Sequence, residues 1–343
     1  MQALETAPGK GRYKHIYAAL DLGTNNCRLL IARAEEDGFS ILDSFSRSVR
    51  LGEGLGQSGT LSDAAMSRAI EAVKICGQKM KRLGVTRGRA IATAACRAAV
   101  NGMHFIDRLK GETGISFEIV TPSEEARLAV MGCSGLVERS YAGALVFDIG
   151  GGSTELIWLR MAKDSAERLP QIEAIASLPL GVVTLAERFG GHGLTPEIFP
   201  AMLAAARETL AAIEAPSLEG LAPGDLHMLG TSGTVTTIVG IHMGLPRYER
   251  RRVDGAWIET GDAVAIARRI TALSHQDRIS VPCIGQDRAD LVMPGCAIFL
   301  AVAEAWPVPR LRVADRGLRE GILLALMDQA DKERRRRKRR RRR

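Results

Sequence analysis

Two aspartate–glycine turns are the segments of this chain best equipped for chemistry. Asp21-Leu22-Gly23-Thr24-Asn25-Asn26 and Asp148-Ile149-Gly150-Gly151-Gly152-Ser153-Thr154-Glu155 each lie between two apolar runs. In both, an aspartate ends the first run and a glycine follows two residues on. Glycine removes the Cβ that would keep an anion off the backbone, and successive N–H groups in such a turn form an anion-binding concavity. Two such loops face to face would grip a phosphate from both sides, with Asp21 and Asp148 holding a cation or orienting water. A third loop, Gly230-Thr231-Ser232-Gly233-Thr234, leads from a strand-like run into a helical one. There, unpaired N–H groups and the helix dipole attract anions, which makes Ser232, Gly233 and Thr234 candidates as well. One Gly-rich turn alone is as readily a tight hairpin. Three of them, two opening on Asp-x-Gly, point to phosphate.

Glu124-Glu125 sits at a helix start. Adjacent acids there serve the dipole in any helix; projected into a cleft, one of them would be a general base. Arg97 follows a strand end and could neutralise phosphate oxygens. Other phosphate motifs are excluded. The 149–154 turn lacks the G-x-G-x-x-G spacing and returns into a strand, and no G-x-x-x-x-G-K-[ST] occurs. Gly230–Thr234 is no nucleophile elbow, because position 234 is Thr rather than Gly. The histidines have no metal-ligand spacing.

The elements that would position these groups come in two series. Residues 15–21 and 27–33 read as a β-hairpin, with 39–45 as its third strand. Ser62-Asp63 caps a helix over 64–83. A strand at 89–93, a helix near 103–112, a strand at 116–120 and a helix opened by Pro122 with a capping Ser123 follow. The pattern then restarts: strands at 144–148, 154–159 and 172–178, a helix over 195–213, a strand at 226–230, and helices at 234–243, 263–273, 288–305 and 315–328. This predicts two α/β halves whose likeness is confined to their opening hairpins.

The length of 343 residues suits two domains at ~150 residues each. With 46% apolar and 25% charged residues the chain is an ordinary globular one, and 4% aromatics leave the core to Ala, Leu, Ile and Val. No apolar run reaches the ~20 residues of a membrane span, and the polar residues 1–14 carry no export signal. The net charge of +8 is unevenly placed. Lys332–Arg343 holds eleven Lys/Arg and one Glu, so the other 331 residues sum to −2. A uniformly basic nucleic-acid-binding domain is thereby disfavoured. Like-charge runs are usually solvated and disordered, the expectation for 331–343; the other reading is a tether for a polyanion, RNA among them. Six cysteines without CxxC or zinc spacing read as buried, reduced thiols of a cytoplasmic protein.

Taken together, Asp21–Asn26, Arg50–Leu55, Ala92–Arg97, Glu124-Glu125-Ala126-Arg127, Asp148–Glu155, Gly230–Thr234 and Arg316–Gly321 resemble the exopolyphosphatase / guanosine-pentaphosphate phosphohydrolase family. The resemblance spans about residues 15–327. It implies an α/β chain with two ribonuclease-H-like, actin-like domains flanking a cleft: domain I over 15–127, completed by a C-terminal helix at 313–330, and domain II over 128–312. It also implies an enzyme that removes the terminal phosphate of linear inorganic polyphosphate with Mg²⁺, or another divalent cation, and water. On this resemblance Glu125 is the catalytic base, and Asp148 and Glu155 bind metal or position water. Gly23, Thr24, Asn25, Asn26, Gly150, Gly151, Gly152, Ser153 and Thr154 supply phosphate-binding backbone. Longer relatives add helical C-terminal domains where Lys332–Arg343 stands here, and homodimerisation is a family expectation. Guanosine pentaphosphate is the nearest alternative substrate. An ATP-dependent phosphotransferase and a polyphosphate-binding protein without catalysis are the alternatives from other classes.

Overall fold

The computed structural model describes residues 11–36, 38–161, 170–214 and 222–341. The first ten residues of the expected N-terminal tail and the last two of the basic segment lie outside the described residues.

The first lobe begins with β1 (Ile16–Leu22), an apolar strand buried from Tyr17 to its end. It runs antiparallel to β2 (Asn26–Glu35), which pairs in turn with β3 (Gly38–Ser48). After α1 (Leu55–Ser58), α2 (Asp63–Arg82) lays Met66, Ile70 and Val73 on the sheet. Ser62 Oγ accepts from the Ala65 N–H at its start, and Lys79, Lys81 and Arg82 favour the dipole at its end. Next come β4 (Arg87–Ala92), α3 (Ala94–Ala98), α4 (Gly102–Thr113) and β5 (Glu118–Ile119). The sheet order is β3-β2-β1-β4-β5, with β1, β4 and β5 parallel.

After α5 (Pro122–Cys133), the second lobe repeats that order. It contains β6 (Gly143–Ile149), β7 (Thr154–Arg160), β8 (Gln171–Leu178), α6 (Val182–Arg188), α7 (Phe199–Ala211), β9 (Leu226–Thr231) and α8 (Gly233–His242). Then follow α9 (Arg250–Val253), β10 (Trp257–Glu259), α10 (Thr260–Thr271), α11 (His275–Ser280), α12 (Val292–Ala305) and β11 (Arg310–Ala314). The sheet runs β8-β7-β6-β9-β11, with β10 added antiparallel at the edge. β6, β9 and β11 are parallel, as β1, β4 and β5 are. Both lobes therefore have the ribonuclease-H-like strand order, and the duplication is not confined to the opening hairpins. It was hidden because the equivalents of β4 and β5 share pairing, not residue pattern.

α5 and α13 (Leu318–Arg341) lie between the two sheets. Leu128 of α5 joins Ile322, Leu323, Leu326 and Met327 of α13 against Tyr17, Ala19 and Ile91 of the first sheet. Ala126, Val130 and Cys133 pack instead on Val146, Ile157, Leu229 and Ala314 of the second. The two helices cross so closely that a Cβ on Gly132 would overlap the Gly317 carbonyl oxygen, and one on Gly321 the Leu128 carbonyl oxygen. Only glycine fits at either place.

Several expectations need correction. Residues 310–314 form a strand of the second lobe, where buried Leu311 and Val313 alternate with half-buried and exposed arginines, so the returning helix begins at Leu318 rather than 313 or 315. The expected domain boundary at 127/128 falls inside α5. The N-cap of α5 is Thr121, whose hydroxyl accepts from the Glu124 N–H, not Ser123. Most consequentially, the basic segment expected to be disordered continues α13 as helix to Arg341. No Gly or Pro interrupts residues 322–341, Lys and Arg are good helix formers, and the packed first half supplies the nucleus. All six cysteines are free and buried, as expected.

Candidate active site

The carboxyl ends of parallel strands in both lobes open on a shared cleft of about 730 Å³, where α/β sheets ordinarily bind ligands. The two aspartate–glycine hairpins meet there. Each is closed by the same bond, Gly23 N–H to Asn26 O at 2.9 Å and Gly150 N–H to Ser153 O at 2.9 Å. They touch across the lobes: a Cβ on Gly152 would lie 2.5 Å from Thr24 Oγ1, and one on Gly151 3.2 Å from the Asn25 nitrogen. The Gly150 and Gly151 carbonyls receive Val182 N–H and Val183 N–H at 2.9 and 2.8 Å, which fixes the second loop on the start of α6. Among the described residues, the N–H groups of Thr24, Asn25, Gly151 and Gly152 have no hydrogen-bond acceptor, and the buried Thr24 hydroxyl has no partner. These are donors waiting for an anion.

The third loop joins them from β9. Ser232, Gly233 and Thr234 line the cleft at the N-terminus of α8, and Ser232 Oγ accepts from the Val235 N–H at 3.4 Å. Ser232 has φ of 150°, a conformation that costs a non-glycine residue on the order of 1–3 kcal/mol. Thr154 stands apart from the other loop residues. Its hydroxyl donates to Leu180 O at 2.6 Å, and the residue does not line the cleft.

The acidic groups divide clearly. Glu124 is clamped by Arg89 at 2.9 Å and Arg127 at 2.8 Å, away from the cleft, and these arginines hold its carboxyl below the usual range. Glu125, one residue on, lines the cleft and meets Arg97 Nη1 at 3.1 Å. Burial, reinforced by Glu155 and Asp21 and opposed by Arg97, pushes its pKa up to about 8. Asp148 is pushed to about 7 by burial and then Glu155, against the Thr231 hydroxyl and Arg28. Burial also raises Asp21, opposed by Arg28 and Arg319. Glu155 is raised by burial although its Oε1 accepts from Ser153 Oγ at 2.8 Å and Ser177 Oγ at 2.9 Å. Arg97 does not line the cleft; it donates to Val120 O at 2.7 Å and acts on Glu125.

Among the described residues, no group of three or more His, Cys, Asp or Glu is disposed to hold a metal ion. Mg²⁺ rarely needs such a cage, since one or two carboxylates, water and substrate phosphates complete its shell. Asp21 and Asp148, hard oxygen donors on the cleft wall, the first of which raises the pKa of the second, fit that requirement. Glu155 does not line the cleft; it stands across the second hairpin from Asp148, bound to the two serines.

Four arginines in the cleft were not singled out from the sequence as site residues: Arg28, Arg288, Arg316 and Arg319. Arg288 donates to Thr237 Oγ1 at 2.9 Å, and Arg316 pairs with Asp254. The side chains of Arg28 and Arg319 make no hydrogen bond or ion pair among the described residues. The signal for Arg28 was available, because it stands directly across the first hairpin from Asp21.

A family model described as the Ppx/GppA phosphatase family matches residues 30–330. Among solved structures, the Ppx/GppA family member of Aquifex aeolicus is 26% identical over 93% of this chain and 98% of that one, with a TM-score of 0.74. An exopolyphosphatase-like protein is 28% identical over 92% and 97%, with a TM-score of 0.80. An exopolyphosphatase from Cytophaga hutchinsonii is 25% identical over 91% and 98%, with a TM-score of 0.79.

Proposed function

We propose, since the chain belongs to the Ppx/GppA phosphatase family, that it is an exopolyphosphatase releasing the terminal phosphate of linear inorganic polyphosphate to water. The observation that carries this reading is Glu125, a cleft carboxyl with its pKa pushed up to about 8, beside two loops of unpaired N–H groups. A base of that strength is matched to neutral pH.

In this reading the terminal phosphoryl group sits against the Thr24–Asn25 and Gly151–Gly152 N–H groups, which stabilise charge on its equatorial oxygens. Water attacks phosphorus, Glu125 takes the water proton, and the bridging P–O bond breaks toward the shortened chain. Arg97 orients Glu125, and Arg28 and Arg319 offset the anion's charge. A Mg²⁺ ion held by Asp21 and Asp148 would neutralise phosphate oxygens when bound.

Polyphosphate is preferred over guanosine pentaphosphate because no aromatic residue is among the described residues lining the cleft, whereas four arginines are. Such a surface offers charge and no stacking platform for a base. Six buried free thiols agree with a reducing cytoplasm. Phosphate release from polyphosphate and from guanosine pentaphosphate, compared as kcat/KM, tests the assignment. At least a tenfold preference for polyphosphate is expected, and a preference for the nucleotide would overturn it. Phosphate transfer to ADP or a sugar without free phosphate would instead favour a phosphotransferase.

A further inference from the structure

α13 carries two chemically distinct regions on one rod. Its first turn, Leu318, Arg319 and Glu320, lines the cleft, and Ile322, Leu323, Leu326, Met327 and Ala330 bury it in the first lobe. From Lys332 to Arg341 every residue but Glu333 is basic. Glu333 is bound to Arg87 at the start of β4, with contacts of 2.6 and 3.3 Å, which ties the basic half to the lobe. The side chains of Arg334, Arg335, Arg336 and Arg337 make no hydrogen bond or ion pair among the described residues. At 1.5 Å per residue, Arg334 lies about 24 Å along the axis from Leu318.

The composition of this half narrows what it recognises. Residues 331–343 contain no aromatic side chain to stack on a base and no Asn, Gln, Ser or Thr to read a base edge. They contain no apolar side chain to anchor in lipid. Four consecutive arginines at 100° steps encircle the helix instead of forming the single face that a groove or a bilayer would meet. Like charges three and four residues apart also destabilise the helix, so a neutralising polyanion is favoured there. A bare phosphate chain supplies charge and nothing else.

We infer that Arg334–Arg337 form a second, non-catalytic binding surface for inorganic polyphosphate, holding the body of a long chain while its end occupies the cleft. The inference rests on the polyphosphate reading of the cleft. Only a chain able to span about 24 Å or more engages both sites and gains from the second as an intramolecular contact.

The test replaces these four arginines together (Arg334→Gln, Arg335→Gln, Arg336→Gln, Arg337→Gln), keeping the helix and Glu333. KM is measured for tripolyphosphate and for polyphosphate of several hundred units between 50 and 200 mM salt. At 50 mM salt the long-chain KM should rise at least tenfold, while the tripolyphosphate KM and both kcat values stay within twofold. The log–log salt slope for long chains should fall by about 3, at about 0.7 per lost phosphate contact. An unchanged long-chain KM and slope would refute the second surface. So would an RNA strand of equal charge that displaces labelled polyphosphate at a tenth of its concentration, which would make this a nucleic-acid surface. If neither protein hydrolyses either chain, the cleft reading fails, and fluorescence anisotropy with labelled long polyphosphate decides the inference alone. Weaker binding by the variant upholds it, and equal binding removes it.

Discussion

Glu124 and Glu125 share the first turn of one helix, yet their surroundings give them opposite acidities. Arg127 and Arg89 keep Glu124 ionised, while burial and Glu155 push Glu125 up to about 8. Glu125→Gln should therefore lower kcat by about 10²–10⁴-fold, the usual worth of a positioned base. Glu124→Gln should leave kcat within a few-fold. As a base works only when deprotonated, kcat/KM of the native protein should climb with pH to a plateau above about 8, and the Glu125→Gln profile should be flat. The residue types alone pointed to the pair, and only the family resemblance singled out Glu125; the physical difference depends on Arg89, which lies 35 residues away and meets Glu124 only after folding. The same acids govern stability. Asp148 at about 7 and Glu125 at about 8 bind protons in the folded state that an unfolded carboxyl, near 4, has already lost. Their stabilising contribution is complete below pH 4 and disappears as pH rises through 7 to 8. Asp43, Glu124 and Asp290 are shifted downward and act only at more acid pH. In cation-free buffer, Tm should fall from pH 6 to pH 8.5, and Asp148→Asn should fall less. A native Tm that increases across this interval would contradict the assignment.

At the scale of elements, the crossing of α5 and α13 sets the position of Glu125, the proposed base. Gly321→Ala would drive a methyl group into the Leu128 carbonyl, and overpacking of this kind costs about 1–3 kcal/mol. Because Glu125 stands one helical turn before Leu128, urea denaturation should show the stability loss and kcat should fall with it. Lost stability at full kcat would mean that the crossing does not hold Glu125. Legibility also varied by element. The hairpins of both lobes, the long α2 and the start of α5 could be read because alternation, periodicity and capping are local. β11 could not, as its Arg-Leu-Arg-Val-Ala pattern becomes a strand only by lying parallel to β9. The continuation of α13 was missed for a related reason: charge density argued for solvation, while the buried half of the same helix argued for propagation.

For the whole molecule, the relation between lobes matters more than either lobe alone. Beyond the contact of the two Gly loops, Glu187 of α6 reaches across to accept the Gly54 N–H of the first lobe at 2.8 Å. Glu187→Ala should loosen that closure, raising KM severalfold and increasing the radius of gyration by small-angle scattering, with Tm nearly unchanged. Constant KM and radius would show that the bond is incidental. The two-lobed architecture was legible through paired motifs, and Arg28 could have been read from the first hairpin, whereas the roles of Arg288, Arg316 and Arg319 could not, because they come from the α12 approach and the β11–α13 joint and converge only in three dimensions.

The duplicated sheets also diverge at one matched position. Across the first hairpin Asp21 faces Arg28, while across the second Asp148 faces Glu155. One copy thus sets an acid against a guanidinium and its counterpart sets two acids side by side, a crowding that helps hold Asp148 up at about 7, so the chamber between them has a built-in polarity. On the polyphosphate reading, a cation would settle toward the second copy and anionic oxygens toward the guanidinium of the first, so a thread of repeating identical units, which has no head or tail of its own, would acquire a heading from the wall it enters.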